Sequence, residues 1–169
     1  MKAIYYNEIQ KVTNKWLWLL VATVSVVFMY GFIEQLILKH PFGENPSPDW
    51  FLILMAILPF CLILLLLTIK LSIQINEQGI YFRFYPFHNA VKEILWEDIE
   101  SVYVRKFKPI SEYGGWGIRT ISLKKNIAYT ISGDKGLQIE LKDGKKILLG
   151  TQNPEEVEKI VSQITHITP

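Results

Sequence analysis

The sequence predicts a two-helix transmembrane hairpin followed by a mainly-β, partly open barrel of about seven antiparallel strands and a C-terminal amphipathic helix. Three observations predict it. Two long apolar runs occupy residues 16–38 and 50–69. From Lys70 onward the apolar period drops to 2. Near the end of the chain, Val157, Ile160, Val161 and Ile164 return to helical spacing.

Residues 1–15 precede the first run. Ile4, Tyr5, Ile9 and Val12 fall near one helical face. The segment reads as a short interfacial helix or as an irregular lead-in.

The first run, WLWLLVATVSVVFMYGFIEQLIL, has the length of a membrane span, about 35 Å at 1.5 Å per residue. It is too long for the core of a cleaved signal peptide. Glu34 and Gln35 interrupt it near its end. A lone carboxylate there reads as a group snorkelling to the interface, or as an earlier end to the span. Residues 39–49, KHPFGENPSPD, are a turn-forming loop that makes the two runs an antiparallel hairpin. The second run, WFLILMAILPFCLILLLLTI, contains no charge and carries Pro59 near its middle, which predicts a kink.

Lys2, Lys11 and Lys15 precede the hairpin and Lys70, Arg83 and Lys92 follow it, whereas its loop offers only Lys39 and His40. The positive-inside rule places both termini in the cytoplasm and makes the chain a multi-pass protein of the cell (inner) membrane. Trp16, Trp18 and Trp50 sit near span ends, where indole rings favour the interface.

Residues 70–169 form the cytoplasmic domain. Strands are expected at 71–75, 80–87, 92–96, 99–107, 127–131, 137–141 and 146–150. Asp143-Gly144 is a tight hairpin signal, and residues 132–136 join 127–131 to 137–141 as a loop of turn formers. Asn153, Pro154 and Glu156 mark a helix start. An antiparallel sheet this small covers its apolar faces by bending and taking the helix as a plug.

Three segments carry a resemblance: Ile94-Leu95-Trp96-Glu97-Asp98-Ile99, Tyr113-Gly114-Gly115-Trp116-Gly117-Ile118-Arg119, and Gly150-Thr151-Gln152-Asn153-Pro154-Glu155-Glu156. With the strand and helix order, they resemble the bacterial membrane-anchored pleckstrin-homology-like (PH-like) domains. The resemblance implies the fold of residues 70–164 and the preceding hairpin. It implies no activity, because PH-like folds host lipid, peptide and scaffolding roles.

Composition narrows the function. A net charge of +2 on 169 residues excludes a dedicated nucleic-acid binder. A lone Cys61 inside an apolar run offers neither a disulfide framework nor a cysteine metal site. His40, His88 and His166 share no ligand spacing, and Glu97 and Asp98 point to opposite faces if in a strand. Gly133 to Gly136 lacks P-loop spacing and reads as a hairpin loop. No enzyme, metal or cofactor is expected.

The candidate binding residues are Arg105, Lys106, Lys108, Trp116, Arg119, Lys124 and Lys125. Six cations face one acid, Glu112, between 105 and 125, a local excess of five positive charges. Facing a membrane, they would attract anionic headgroups. As a solvated face they would do nothing. The glycines at 114, 115 and 117 suit either a loop presenting Trp116 and Arg119 or a tight crossover that packs Trp116 on the sheet.

The expected function is a non-enzymatic, membrane-anchored interaction or scaffolding module. Its partners would be the bilayer itself, and either a second copy or another membrane protein. The alternative is an anionic-lipid sensor using the segment 105–125.

Overall fold

The computed structural model describes residues 4–121 and 126–165. They form two units: a helical unit, Thr13–Thr68, and a β unit that takes in the chain up to Val12 and from Ile69 onward.

In the helical unit, α1 spans Lys15–Phe32, runs on into a π turn at Ile33–Ile37, and is followed by α2 at Asp49–Thr68. Asn14 caps α1, its Oδ1 accepting the Trp16 and Leu17 N–H groups at 3.0 and 3.3 Å. Both helices are long and apolar enough to cross a membrane: 23 residues over Lys15–Ile37 and 20 over Asp49–Thr68. Their contact stripe is narrow. Val21 and Gly31 are buried on α1, and Leu52, Ala56 and Pro59 on α2. Pro59 thus sits on the packed side. Glu34 pairs with His40 at 3.5 Å, and the Gln35 amide donates to Ser47 O and Asp49 Oδ1, tying the π turn to the loop.

The β unit contains two sheets. Sheet A has the order β1-β2-β3-β4: Ile4–Lys11, Lys70–Asn76, Gly79–Tyr85 and Lys92–Leu95, all antiparallel. Sheet B has the order β5-β8-β9-β7-β6: Ile99–Lys106, Lys135–Leu141, Lys146–Gly150, Asn126–Thr130 and Gly117–Ile121. The inner faces meet in one core of Leu71, Ile73, Phe82 and Phe84 against Tyr129, Leu137, Ile139 and Leu149. The last helix, α4 (Pro154–Thr165), buries Val157 and Val161 in that core, on the stripe the sequence predicts.

The structure differs from the sequence reading in four ways. Residues 4–11 are neither an interfacial helix nor a lead-in but strand β1, so the β domain does not start at residue 70. The inward side chains of β1 are Tyr6, Glu8 and Gln10, and the apolar Tyr5 and Ile9 face out. Secondly, Gly117–Ile121 is a strand, β6, so the described residues hold nine strands rather than seven. Thirdly, β7 and β9 pair in parallel. β8 is flanked by β5 and β9, and β7 pairs along the other edge of β9. Finally, among the described residues the two sheets do not close into a barrel; β1 and β4, and β5 and β6, are edges.

Candidate functional site

Of the predicted binding residues, Arg105 and Arg119 lie on the outer face of sheet B. Cross-strand partners share a face, so register puts Tyr103, Gln138, Leu148, Ala128 and Arg119 in one row across five strands. A short helix, α3 (Pro109–Tyr113), covers part of this face, where Phe107 and Tyr113 stack edge to face at 5.9 Å and pack against Ala128 and Leu148.

The local sequence builds α3 efficiently. Pro109 occupies the first turn, where its missing N–H costs nothing. The Lys108 N–H donates to Glu112 Oε1 at 2.7 Å. Gly114 closes the helix at φ 70°, a left-handed position that glycine fills without a Cβ clash. The chain then enters β6.

Arg105 is the centre of this arrangement. Its guanidinium donates to Glu112 Oε2 at 2.9 Å, Gln138 Oε1 at 3.0 Å, Tyr113 Oη at 3.0 Å and Lys106 O at 3.3 Å. Partial burial works against the charged forms of both Arg105 and Glu112. The hydrogen bonds and mutual charge prevail, holding Glu112 below the usual carboxylate range and Arg105 above its usual value. With those donors spent, Arg105 braces α3 against sheet B rather than waiting for a headgroup. With Glu112, Tyr113, Ile121, Asn126, Gln138 and Lys146 it lines a cleft of about 240 Å³. Lys146 in turn pairs with Glu140 at 2.7 Å.

The other predicted residues divide. Lys106 pairs with Asp134 at 3.1 Å. Lys108 and Arg119 stand exposed, and Arg119 Nε donates to Trp116 O at 3.1 Å. Trp116 is 41% exposed, yet its indole donates to Gly133 O at 2.8 Å. It therefore links the turn before β6 to the loop before β8 while staying part-exposed. Lys124 and Lys125 lie outside the described residues. The basic run therefore holds less free charge than its sequence suggests. Asp134 and Gln138, which neutralise or occupy the cations, come from a segment some thirty positions further on.

A second polar cluster has no counterpart in the sequence reading. Glu8 on β1 is buried and accepts three hydrogen bonds: Tyr6 Oη at 2.6 Å, Thr151 Oγ1 at 2.7 Å and the Gln152 N–H at 2.7 Å. Burial first, then the adjacent carboxylate, pushes the Tyr6 hydroxyl well above its ordinary range. The negative group lies just ahead of α4, where the helix dipole favours it. Its acceptor sites are filled by the protein itself, so this cluster fastens β1 rather than offering a reactive acid. Among the described residues no group of acids, histidines and cysteines could hold a metal.

Fold and face together define a class: a two-sheet β unit whose sequence is interrupted by a pair of helices with the length and apolarity of membrane spans. Within it, the chain belongs to a family of unknown function, DUF6141, which matches residues 2–167. No curated protein matches the chain.

Proposed function

We propose that this protein is a non-enzymatic, membrane-anchored interaction module. In this reading α1 and α2 cross the cell membrane, both termini are cytoplasmic, and the β unit is a PH-like domain that recruits a protein chain at the cytoplasmic face. The observation that carries it is the β1–β2 ladder, with Lys11 opposite Lys70 and Asn7 opposite Gln74. One strand precedes the first helix and its partner follows the second, so the chain must return to the side it left. A hairpin of two crossings satisfies that, and the lysine excess at both ends favours the cytoplasm.

A PH-like reading of the β unit is supported by the two stacked sheets and the C-terminal helix buried in their core. Recruitment is best assigned to β6. Among the described residues it pairs with β7 alone, and Trp116, Ile118 and Ile121 stand exposed along it. An open edge beside aromatic and aliphatic side chains suits the addition of a strand from a second copy or from another membrane protein. The anionic-lipid alternative at 105–125 is weakened by the ion pairs that hold Arg105 and Lys106.

Photo-crosslinking decides between them. A benzophenone side chain at Thr120, in full-length protein in its native membrane, is expected to form adducts with a protein chain. Adducts with lipid alone would transfer the role to the lipid alternative, and no adduct of either kind would overturn strand addition at β6.

A further inference from the structure

The outer face of sheet A carries a pattern the sequence scatters. Register sets Lys11, Lys70 and Tyr85 side by side in one row, and Ile9, Ser72 and Arg83 in the next. Directly opposed like charges such as Lys11 and Lys70 repel. Among the described residues the ion pairs all lie elsewhere, so no carboxylate within salt-bridge distance relieves them. The row after that on the same face, Asn7, Gln74, Tyr81 and Glu93, carries no cation. Positive charge is thus concentrated at one end of the face.

Beyond Tyr85 the chain makes a turn that is held shut. The His88 N–H donates to Phe84 O at 2.9 Å, the Phe84 N–H donates to His88 Nδ1 at 3.2 Å, and Arg83 Nε donates to His88 O at 3.1 Å. The His88 ring packs edge-on against Tyr129 at 5.1 Å. This fixed turn nevertheless leaves Phe87 58%, Val91 54% and Tyr85 42% exposed. Apolar side chains held out by a hydrogen-bonded turn need a covering surface.

Covalent geometry limits what that surface is. Lys70 follows Thr68, the last residue of α2, by two positions. Register sets Tyr85 beside Lys70, and Phe87 follows Tyr85 by two positions. Cations with aromatic and aliphatic side chains this near a span end along the chain have the composition of a membrane interface.

We infer that the turn at residues 85–91 is an interfacial anchor: Phe87 and Val91 enter the headgroup region of the leaflet that α2 leaves, and Lys11, Lys70 and Arg83 lie against anionic headgroups there. This rests on the reading that α2 crosses a bilayer. It fixes one end of sheet A to the membrane surface and leaves β6 for protein partners.

Nitroxide quenching of a cysteine-linked nitrobenzoxadiazole probe tests it, with the full chain reconstituted in phosphatidylcholine–phosphatidylglycerol vesicles. Three labelled proteins are compared: the natural chain at Cys61, and Phe87→Cys and Glu77→Cys, each in a Cys61→Ser background. Cys61 lies within α2 and reports whether that helix is in the bilayer. Glu77 sits at the far hairpin of sheet A, about 20 Å along the strands from Lys70. The expected result is loss of most Cys61 emission with deep acyl nitroxides, loss of most Phe87 emission with headgroup-proximal nitroxides, and no loss at Glu77. Quenching at Cys61 without quenching at Phe87 would overturn the anchor while leaving the span in place. No quenching at Cys61 would overturn the span, and the anchor with it. Val91→Cys repeats the measurement on the same turn, so a disturbance peculiar to one substitution does not decide it.

Discussion

Sheets A and B handle charge in opposite ways. Sheet B ties its cations down: Arg105 to Glu112, Lys106 to Asp134, Lys146 to Glu140. Sheet A buries an acid, Glu8, on its inner face and leaves Lys11, Lys70 and Arg83 on its outer face without an acid partner among the described residues. In the sequence the opposite is suggested, since 105–125 is a dense basic run and the sheet A cations are scattered from 11 to 83. Charge density along the chain measures neither availability nor proximity. Strand register decides both.

The contrast can be broken at its strongest point first. Glu8→Ala leaves the Tyr6 hydroxyl, Thr151 hydroxyl and Gln152 N–H without their acceptor, and should cost about 3 kcal/mol in urea unfolding of the detergent-solubilised chain. A loss within experimental error would mean that β1 is not fastened through this carboxylate. Arg105→Ala removes the brace between α3 and sheet B, and about 2 kcal/mol is expected by the same measurement. Arg105→Lys should recover little of it, because one ammonium cannot span Glu112, Gln138 and Tyr113 together.

A smaller effect tests the turn of sheet A by pH. Burial, then the nearby Lys92 and Arg83, holds His88 below the usual imidazole range. As pH falls through about 6.5 the unfolded chain takes up the proton first. The His88 contribution is therefore complete above that pH and declines below it. Unfolding midpoints between pH 7.5 and 5.5 should fall in the natural chain and fall less in His88→Asn. The smallest effect belongs to Lys106→Ala. Its exposed pair with Asp134 should be worth less than about 1 kcal/mol, and a larger loss would give sheet B a charge network beyond the pairs described.

Much of the fold is legible in the sequence. β2 and β3 alternate as half-buried strands do, the other strands from β4 to β5 and β7 to β9 are marked by apolar runs between turn formers, and α4 shows its buried stripe in the spacing of Val157, Ile160, Val161 and Ile164. The illegible parts have particular causes. β1 inverts the usual alternation, with Tyr6, Glu8 and Gln10 inward, so its apolar residues mimic a helical face. β6 starts at a glycine and is mostly exposed, so it carries no alternation at all. The parallel β7–β9 pair depends on which strand edges remain free, a property of the assembled sheet and not of any segment. The candidate face of sheet B is half legible for the same reason. Trp116 and Arg119 announce themselves, but Gln138 and Asp134 reach Arg105 and Lys106 from β8 and the loop before it, which no local pattern shows.

The position of β1 also sets an order of events during synthesis. Its seven pairing partners lie on β2, so β1 leaves the ribosome with nothing to join until residues 12–69 have followed it. Until then Glu8 has no Thr151, Gln152 or finished sheet to receive it. The β unit can therefore mature only after both helices have been delivered. A chain cut at residue 70 would emerge with an unpaired β2 edge and no carboxylate ahead of α4. Completed folding of the β unit is thus itself a record that both helices have been made and that the chain has turned back.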